Sequence, residues 1–170
     1  DGYRPDVDGP GSILVASRGE GAWVTPLEAE PDFQRLHVSE QSDSAQARLL
    51  RSFESGHTNV SQIDLLADEM EIEAAPVRMD SQAKYAVLAA GEAEVYLRLI
   101  SSSRPNYREK IWDQAAGALI TMEAGGRVTD LDGKPLDFTA GRTLAHNRGV
   151  CATNRHLHAA TLKALQAIQA

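Results

Sequence analysis

A chain of 170 residues with 42% hydrophobic and 24% charged residues has the size and composition of one globular domain with a sizeable core. Its net charge of −7 argues against a general binder of nucleic-acid polymers, whose affinity comes from Lys and Arg, but leaves room for a local basic pocket holding one small phosphorylated ligand. Cys151 is the sole cysteine, so neither an internal disulfide nor a cysteine-ligated zinc can form, and no apolar run approaches the ~20 residues that span a bilayer.

A cytoplasmic protein without a membrane partner is therefore the expectation. Residues 1–10 are rich in turn formers and read as loop. Ser12 to Ser17 is a β-branched apolar run that predicts a strand, Arg18 to Ala22 a hairpin turn, and Trp23-Val24 the start of the return strand. Glu28 to Gln34 is acidic and proline-punctuated, hence surface loop. Leu36-His37-Val38 predicts another strand, and Ala47 to Phe53 fits strand or helix equally. Thr58 can cap a helix that carries Ile63, Leu66, Ala67 and Met70 at helical spacing. His57, just before that helix, can meet an anion or simply face water.

Pro76 to Met79 predicts a strand running into a helix capped by Asp80 or Ser81, with Ala83, Val87, Leu88 and Ala90 along it. Ser81 and Lys84 lie one turn apart, where a hydroxyl and an ammonium can grip one anion. The commoner reading of such a pair is a capping serine beside a solvated lysine. Val95 to Leu99 predicts a strand with Val95, Leu97 and Leu99 on one face and Tyr96 and Arg98 on the other. An arginine aimed from a strand into a cleft can fork a phosphate.

The stretch Glu109 to Gly126 is apolar, small or uncharged from Trp112 to Met122 apart from Asp113, and predicts a helix buried nearly all round. Asp113 falls in its first turn, where the helix dipole favours a carboxylate. Spacing alone leaves a capping role and a hard-cation ligand equally open. Beyond it, Arg127 to Asp130 predicts a strand with a turn at Asp132-Gly133, and Gly149 to Ala152 the last core strand. Asp130, Asp132 and Asp137 sit in or beside turns, where aspartate needs no metal. His156 and His158 open a final helix but point to different sides of it, which makes them poor joint metal ligands. Strands alternating with helices predict an α/β fold.

Trp112-Asp113-Gln114-Ala115-Ala116-Gly117, followed by Glu123-Ala124-Gly125-Gly126 and a strand, resembles the C-terminal signature of the inositol monophosphatase superfamily, the magnesium-dependent, lithium-sensitive phosphomonoesterases. Met79-Asp80-Ser81-Gln82-Ala83-Lys84-Tyr85 and Val95-Tyr96-Leu97-Arg98-Leu99 resemble its 3′(2′),5′-bisphosphate nucleotidase branch. The resemblance runs from about Gly11 to the C-terminus. It implies a layered mixed sheet with helices on both faces over residues 11–170, the C-terminal domain of such a phosphatase. Residues 1–10 would continue from an N-terminal half that holds most of the metal site, supplied in the same or a separate chain.

It further implies Mg²⁺ as cofactor with Asp113 as a metal ligand. His57, Ser81, Lys84 and Arg98 would contact adenosine 3′,5′-bisphosphate, whose 3′-phosphate is removed to give AMP. Without the N-terminal half this chain is expected to be inactive. Two alternatives stand beside this reading: an inositol-phosphate phosphatase of the same superfamily, and a non-catalytic ligand-binding or interaction domain.

Overall fold

The computed structural model describes residues 11–27, 30–53, 60–101 and 104–170. Strands β1 (Ser12–Ser17), β2 (Gly21–Pro26) and β3 (Gln34–Arg35) form an antiparallel sheet in that order. β1 and β2 pair from Ser12 opposite Pro26 to Ser17 opposite Gly21, the hairpin expected from the sequence. Its turn is pinned from outside, because the Glu123 carboxylate accepts the N–H groups of Gly19 and Gly21 at 2.9 and 3.0 Å.

A second sheet combines β4 (Leu49–Arg51), β5 (Val77–Arg78), β6 (Val95–Arg98), β7 (Arg127–Thr129) and β8 (Val150–Thr153) in the order β5-β4-β6-β8-β7. β4 runs parallel to β5 and β6, whereas β8 is antiparallel to β6 and β7, so the sheet is mixed. Helices α1 (Val60–Glu69) and α4 (His158–Ala167) cover one face, where Ile63, Leu66, Met70, Ala164 and Leu165 meet Leu49, Val95, Leu97, Leu99 and Cys151. Helices α2 (Ala83–Ala89) and α3 (Ile111–Glu123) cover the other, where Tyr85, Val87, Leu88 and Ala118 meet Leu50, Tyr96, Val128, Val150 and Ala152. The alternation read along Val95 to Leu99 holds: the odd positions face α1 and α4, and Tyr96 faces α2 and α3.

The far side of α2 and α3 packs on the first sheet, through Ala89, Ile120 and Ala124 against Ala22 and Val24. The layers therefore run helix, sheet, helix, sheet. The buried Glu94 ties β4 to β6: its carboxylate accepts from the Arg48 backbone N–H at 2.7 Å and from Arg48 Nη2 at 2.6 Å.

Three expectations need correction. Leu36 and Val38 are buried with His37 exposed between them, but the segment is no strand. The paired register ends at Arg35 and the Leu36 N–H makes one last bond to β2, to the Ala22 carbonyl at 2.8 Å; the chain then crosses the end of α3, where the Val38 N–H donates to the Ala124 carbonyl at 3.0 Å. Alternating burial came from packing under α3, which produces the same pattern as a ladder. Nor is α3 buried all round. Gln114, Gly117, Ala118 and Thr121 are covered, but Trp112 is 51% exposed, Met122 is 43% exposed, and Ala115 and Ala116 face outward. Finally, α2 begins at Ala83 with Gln82 as its flanking residue, which makes no capping bond. Ser81 Oγ accepts the Ala83 N–H at 3.3 Å, and Asp80 instead accepts the Phe53 N–H at 3.2 Å.

Candidate active site

The parallel strands β4, β5 and β6 end on one side of the sheet, and a cleft of about 400 Å³ opens there. Such crevices outside the carboxyl ends of strands are where α/β sheets hold ligands. Ser52 follows β4, and Asp80, Ser81 and Gln82 follow β5. Lys84 comes from α2, Tyr96 and Arg98 from β6, and Asp113 and Gln114 from α3. Four of the five residues singled out in the sequence, Ser81, Lys84, Arg98 and Asp113, thus line one cavity. The fifth, His57, lies outside the described residues.

Lys84 is the electrostatic centre. It is only 4% exposed, and its ammonium donates to Ser52 Oγ at 2.9 Å while standing 5.4 Å from the centroid of the Tyr96 ring. Among the described residues it makes no ion pair with a carboxylate. Burial lowers its pKa, the nearby Arg98 charge lowers it further, and Asp80 pulls the other way. A buried cation held by a hydroxyl and a ring face is stabilised by whatever anion enters the cleft.

Arg98 stands beside it. Its Nε donates to Glu109 Oε1 at 3.2 Å, and the attraction of Glu109 and Tyr96 outweighs the burial that would otherwise lower its pKa. Gly149 lets β8 come close at this point, since a Cβ there would lie 2.3 Å from the Arg98 carbonyl oxygen; its φ of +60° also suits glycine. Ser81 is held at φ +57°, a conformation uncommon outside glycine, which turns its backbone between β5 and α2. With only seven residues, α2 is a short helix, so the grip on an anion falls to side chains more than to a helix dipole.

Asp113 is the third residue of α3, not its cap. Lys110 occupies that position without a side-chain capping bond. The carboxylate is half-buried at the cleft wall and is not enclosed in the core. Among the described residues no group of three or more His, Cys, Asp or Glu converges on a metal-sized point. The cleft does offer Asp113 and Asp80, and Mg²⁺ binds through one or two carboxylates, completing its shell with water and substrate phosphates. The donor set fits one ligand side of such an ion.

The aspartates of the later turns act as their positions predict. Asp130 Oδ1 accepts the N–H groups of Asp132 and Lys134, and Asp137 Oδ1 accepts from Thr139. Ser52, Tyr96 and Gln114 are cleft residues that sequence reasoning missed. Tyr96 carried a usable signal, because strand alternation places it on the same face as Arg98. Ser52 carried none, being one more serine after an apolar run.

Against this geometry the comparisons with known proteins are specific. The family model described as inositol monophosphatase family matches residues 7–170. The chain belongs to that family. A protein of Oryza sativa described as 3′(2′),5′-bisphosphate nucleotidase is 41% identical over 159 residues, which covers 94% of this chain and 43% of the relative. The Arabidopsis thaliana protein 3′,5′-bisphosphate nucleotidase 2 is 41% identical over 92% of this chain and 43% of its own length. A Schizosaccharomyces pombe 3′(2′),5′-bisphosphate nucleotidase is 36% identical over 97% of this chain and 46% of its own. The chain thus spans less than half the length of these family members. Among solved structures, inositol monophosphatase from Anabaena (Nostoc) sp. PCC 7120 superposes with TM-score 0.67 at 23% identity, covering 92% of this chain and 57% of that one. Mycobacterium tuberculosis SuhB superposes with TM-score 0.63 at 26% identity, covering 92% and 55%. The mixed sheet flanked by helices is this family's fold.

Proposed function

We propose that this chain supplies the nucleotide-binding part of a Mg²⁺-dependent 3′(2′),5′-bisphosphate nucleotidase, which hydrolyses the 3′-phosphate of adenosine 3′,5′-bisphosphate to AMP and phosphate. The observation that carries the reading is Lys84: a nearly fully buried cation, facing a cleft, beside Arg98 and Ser81. Two cations in one cleft suit a ligand with two phosphates. The names of the relatives at 36–41% identity support the nucleotide over an inositol phosphate.

In this reading Lys84 and Ser81 hold phosphate oxygens, Arg98 forks a phosphate with its terminal nitrogens, and His57 contacts the nucleotide. Asp113 would hold Mg²⁺, which supplies charge neutralisation at the transferred phosphoryl group and a more acidic water. Among the described residues two cleft carboxylates are too few for a multi-metal clamp, so further ligands and the water-activating groups are assigned to another segment, in the same or a separate polypeptide.

The test is phosphate release from adenosine 3′,5′-bisphosphate and from inositol 1-phosphate at millimolar Mg²⁺. It is run with this chain alone and with this chain plus the part of a relative that it does not cover. Release only in the second case, with the bisphosphate preferred, is expected. Release by the chain alone, with no second polypeptide by intact mass, would sink the two-part arrangement. Preference for the inositol ester would sink the nucleotide assignment.

A further inference from the structure

We propose that Glu109, which does not line the cleft, is a positioning residue that orients Arg98 for a nucleotide phosphate through a buried chain running Arg98, Glu109, Gln114, Tyr85. The proposal rests on the nucleotide reading of the cleft. Glu109 is only 5% exposed, and among the described residues each of its carboxylate oxygens has one partner: Oε1 accepts Arg98 Nε at 3.2 Å and Oε2 accepts Gln114 Nε2 at 2.7 Å. Gln114 Oε1 in turn accepts the Tyr85 hydroxyl.

Two members of the chain, Glu109 and Tyr85, are fixed from behind. The Glu109 carbonyl accepts the Leu144 N–H at 2.9 Å, so the residue's backbone is anchored to the segment before β8. The Tyr85 ring is pressed by Gly117 on one side and meets the Tyr96 ring edge-to-face, with centroids 4.8 Å apart. A guanidinium held at Nε cannot swing about its stem, and Glu109 does not use the two Nη nitrogens that would fork a phosphate. The side chain is thereby ordered before the ligand arrives, which removes part of the entropic cost of binding.

Direction matters within the chain. Tyr85 donates to the Gln114 oxygen, so the Gln114 amide nitrogen must point to Glu109, which must accept at both oxygens. Glu109→Gln removes the charge facing the guanidinium, and its amide nitrogen is accommodated only if the Gln114 amide turns over and the Tyr85 hydroxyl accepts, which leaves Arg98 Nε with a neutral acceptor at best. The variant changes no volume and leaves the cleft lining intact.

The experiment has two arms on the 170-residue chain. In the first, ¹⁵N NMR follows the Arg98 Nε–H. The wild type should show it protected from solvent exchange, and E109Q should lose that protection at least tenfold. In the second, calorimetry measures adenosine 3′,5′-bisphosphate binding to wild type, E109Q, R98A and the double variant. Loss of about tenfold is expected for E109Q and about 10–100-fold for R98A, with the double variant within about twofold of R98A. Additive losses, or E109Q binding as tightly as wild type, would overturn the proposal, as would unchanged Nε–H protection. If wild type shows no binding, the nucleotide reading fails, and the first arm still decides whether Glu109 holds Arg98. Should E109Q not fold, Gln114→Met removes the second anchor together with the Tyr85 hydroxyl's acceptor, and because Gln114 itself lines the cleft, the Arg98 Nε–H protection is the readout that decides: unchanged protection would overturn the proposal.

Discussion

Replacing Lys84 by methionine separates a binding role from a structural one. The change keeps an unbranched side chain of similar length in a site that is 4% exposed, and removes the charge. Three terms decide the outcome. Taking an ammonium out of water costs several kcal/mol, and the methionine recovers this. Against it stand a hydrogen bond from a charged donor to Ser52 Oγ at 2.9 Å, worth about 1.5–3 kcal/mol, and a cation–π contact at 5.4 Å over Tyr96, worth about 1–2 kcal/mol. The depressed Lys84 pKa has burial as its first cause, which says that the folded protein disfavours this charge. The net change should fall between about 1 kcal/mol of destabilisation and about 2 kcal/mol of stabilisation. Affinity for adenosine 3′,5′-bisphosphate, measured by calorimetry, should fall by about 10–150-fold, the equivalent of one charged hydrogen bond. Urea unfolding gives the stability. A variant that loses more than about 3 kcal/mol while binding the nucleotide unchanged would refute the reasoning and make Lys84 a core residue.

Three other outcomes are expected. Asp113→Asn should abolish Mg²⁺-dependent turnover in the complete enzyme while leaving stability within about 0.5 kcal/mol, because the carboxylate is half-exposed; activity equal to the parent at millimolar Mg²⁺ would contradict its role as ligand. Gly117→Ala should lower the melting temperature, since the added methyl would sit 2.1 Å from Tyr85 Cδ2; overpacking of about 1–3 kcal/mol exceeds the ~1 kcal/mol that alanine gains in a helix, and an unchanged or raised melting temperature would contradict it. His158 is buried between Thr129 Oγ1 and Thr153 Oγ1, each 3.0 Å from a ring nitrogen, and burial, then the charge of Arg127, lowers its pKa to about 4. The unfolded chain therefore binds the proton more readily, so stability should decline as pH falls from about 6.5 towards 4, by at most about 3 kcal/mol. Urea titrations at pH 7 and 4.5 on wild type and His158→Asn test this, and equal pH dependence in the two would contradict it.

Much of the fold was legible because its periodicities are clean. The hairpin from Ser12 to Pro26 and the alternation along Val95 to Leu99 follow from β-branched runs and turn glycines. Leu36 to Val38 misled because burial alternates there while bonding to β2 ends after the Leu36 N–H. The helix from Ile111 to Glu123 misled in a different way. Its small residues serve close approach, with Gly117 flush against Tyr85, while Trp112 and Met122 stay exposed on the opposite side. Apolar composition reports which residues tolerate burial, not which are buried.

At the site, Ser81, Lys84, Arg98 and Asp113 were singled out through ordered motifs, and the end of β5, α2, β6 and α3 bring them to one cleft. Glu109 and Gln114 were not. Their roles come from partners 11 and 29 residues away in Arg98 and Tyr85, which no local pattern encodes.

The central claim, that the cleft of Lys84 and Arg98 takes a nucleotide with two phosphates, is tested most directly by calorimetric titration of the chain with adenosine 3′,5′-bisphosphate, AMP and inositol 1-phosphate, each with and without Mg²⁺. One saturable site is predicted, tightest for the bisphosphate, strengthened by Mg²⁺, and weakened in both Lys84→Met and Arg98→Ala. Equal affinity for all three ligands, or binding that survives both substitutions, would contradict it.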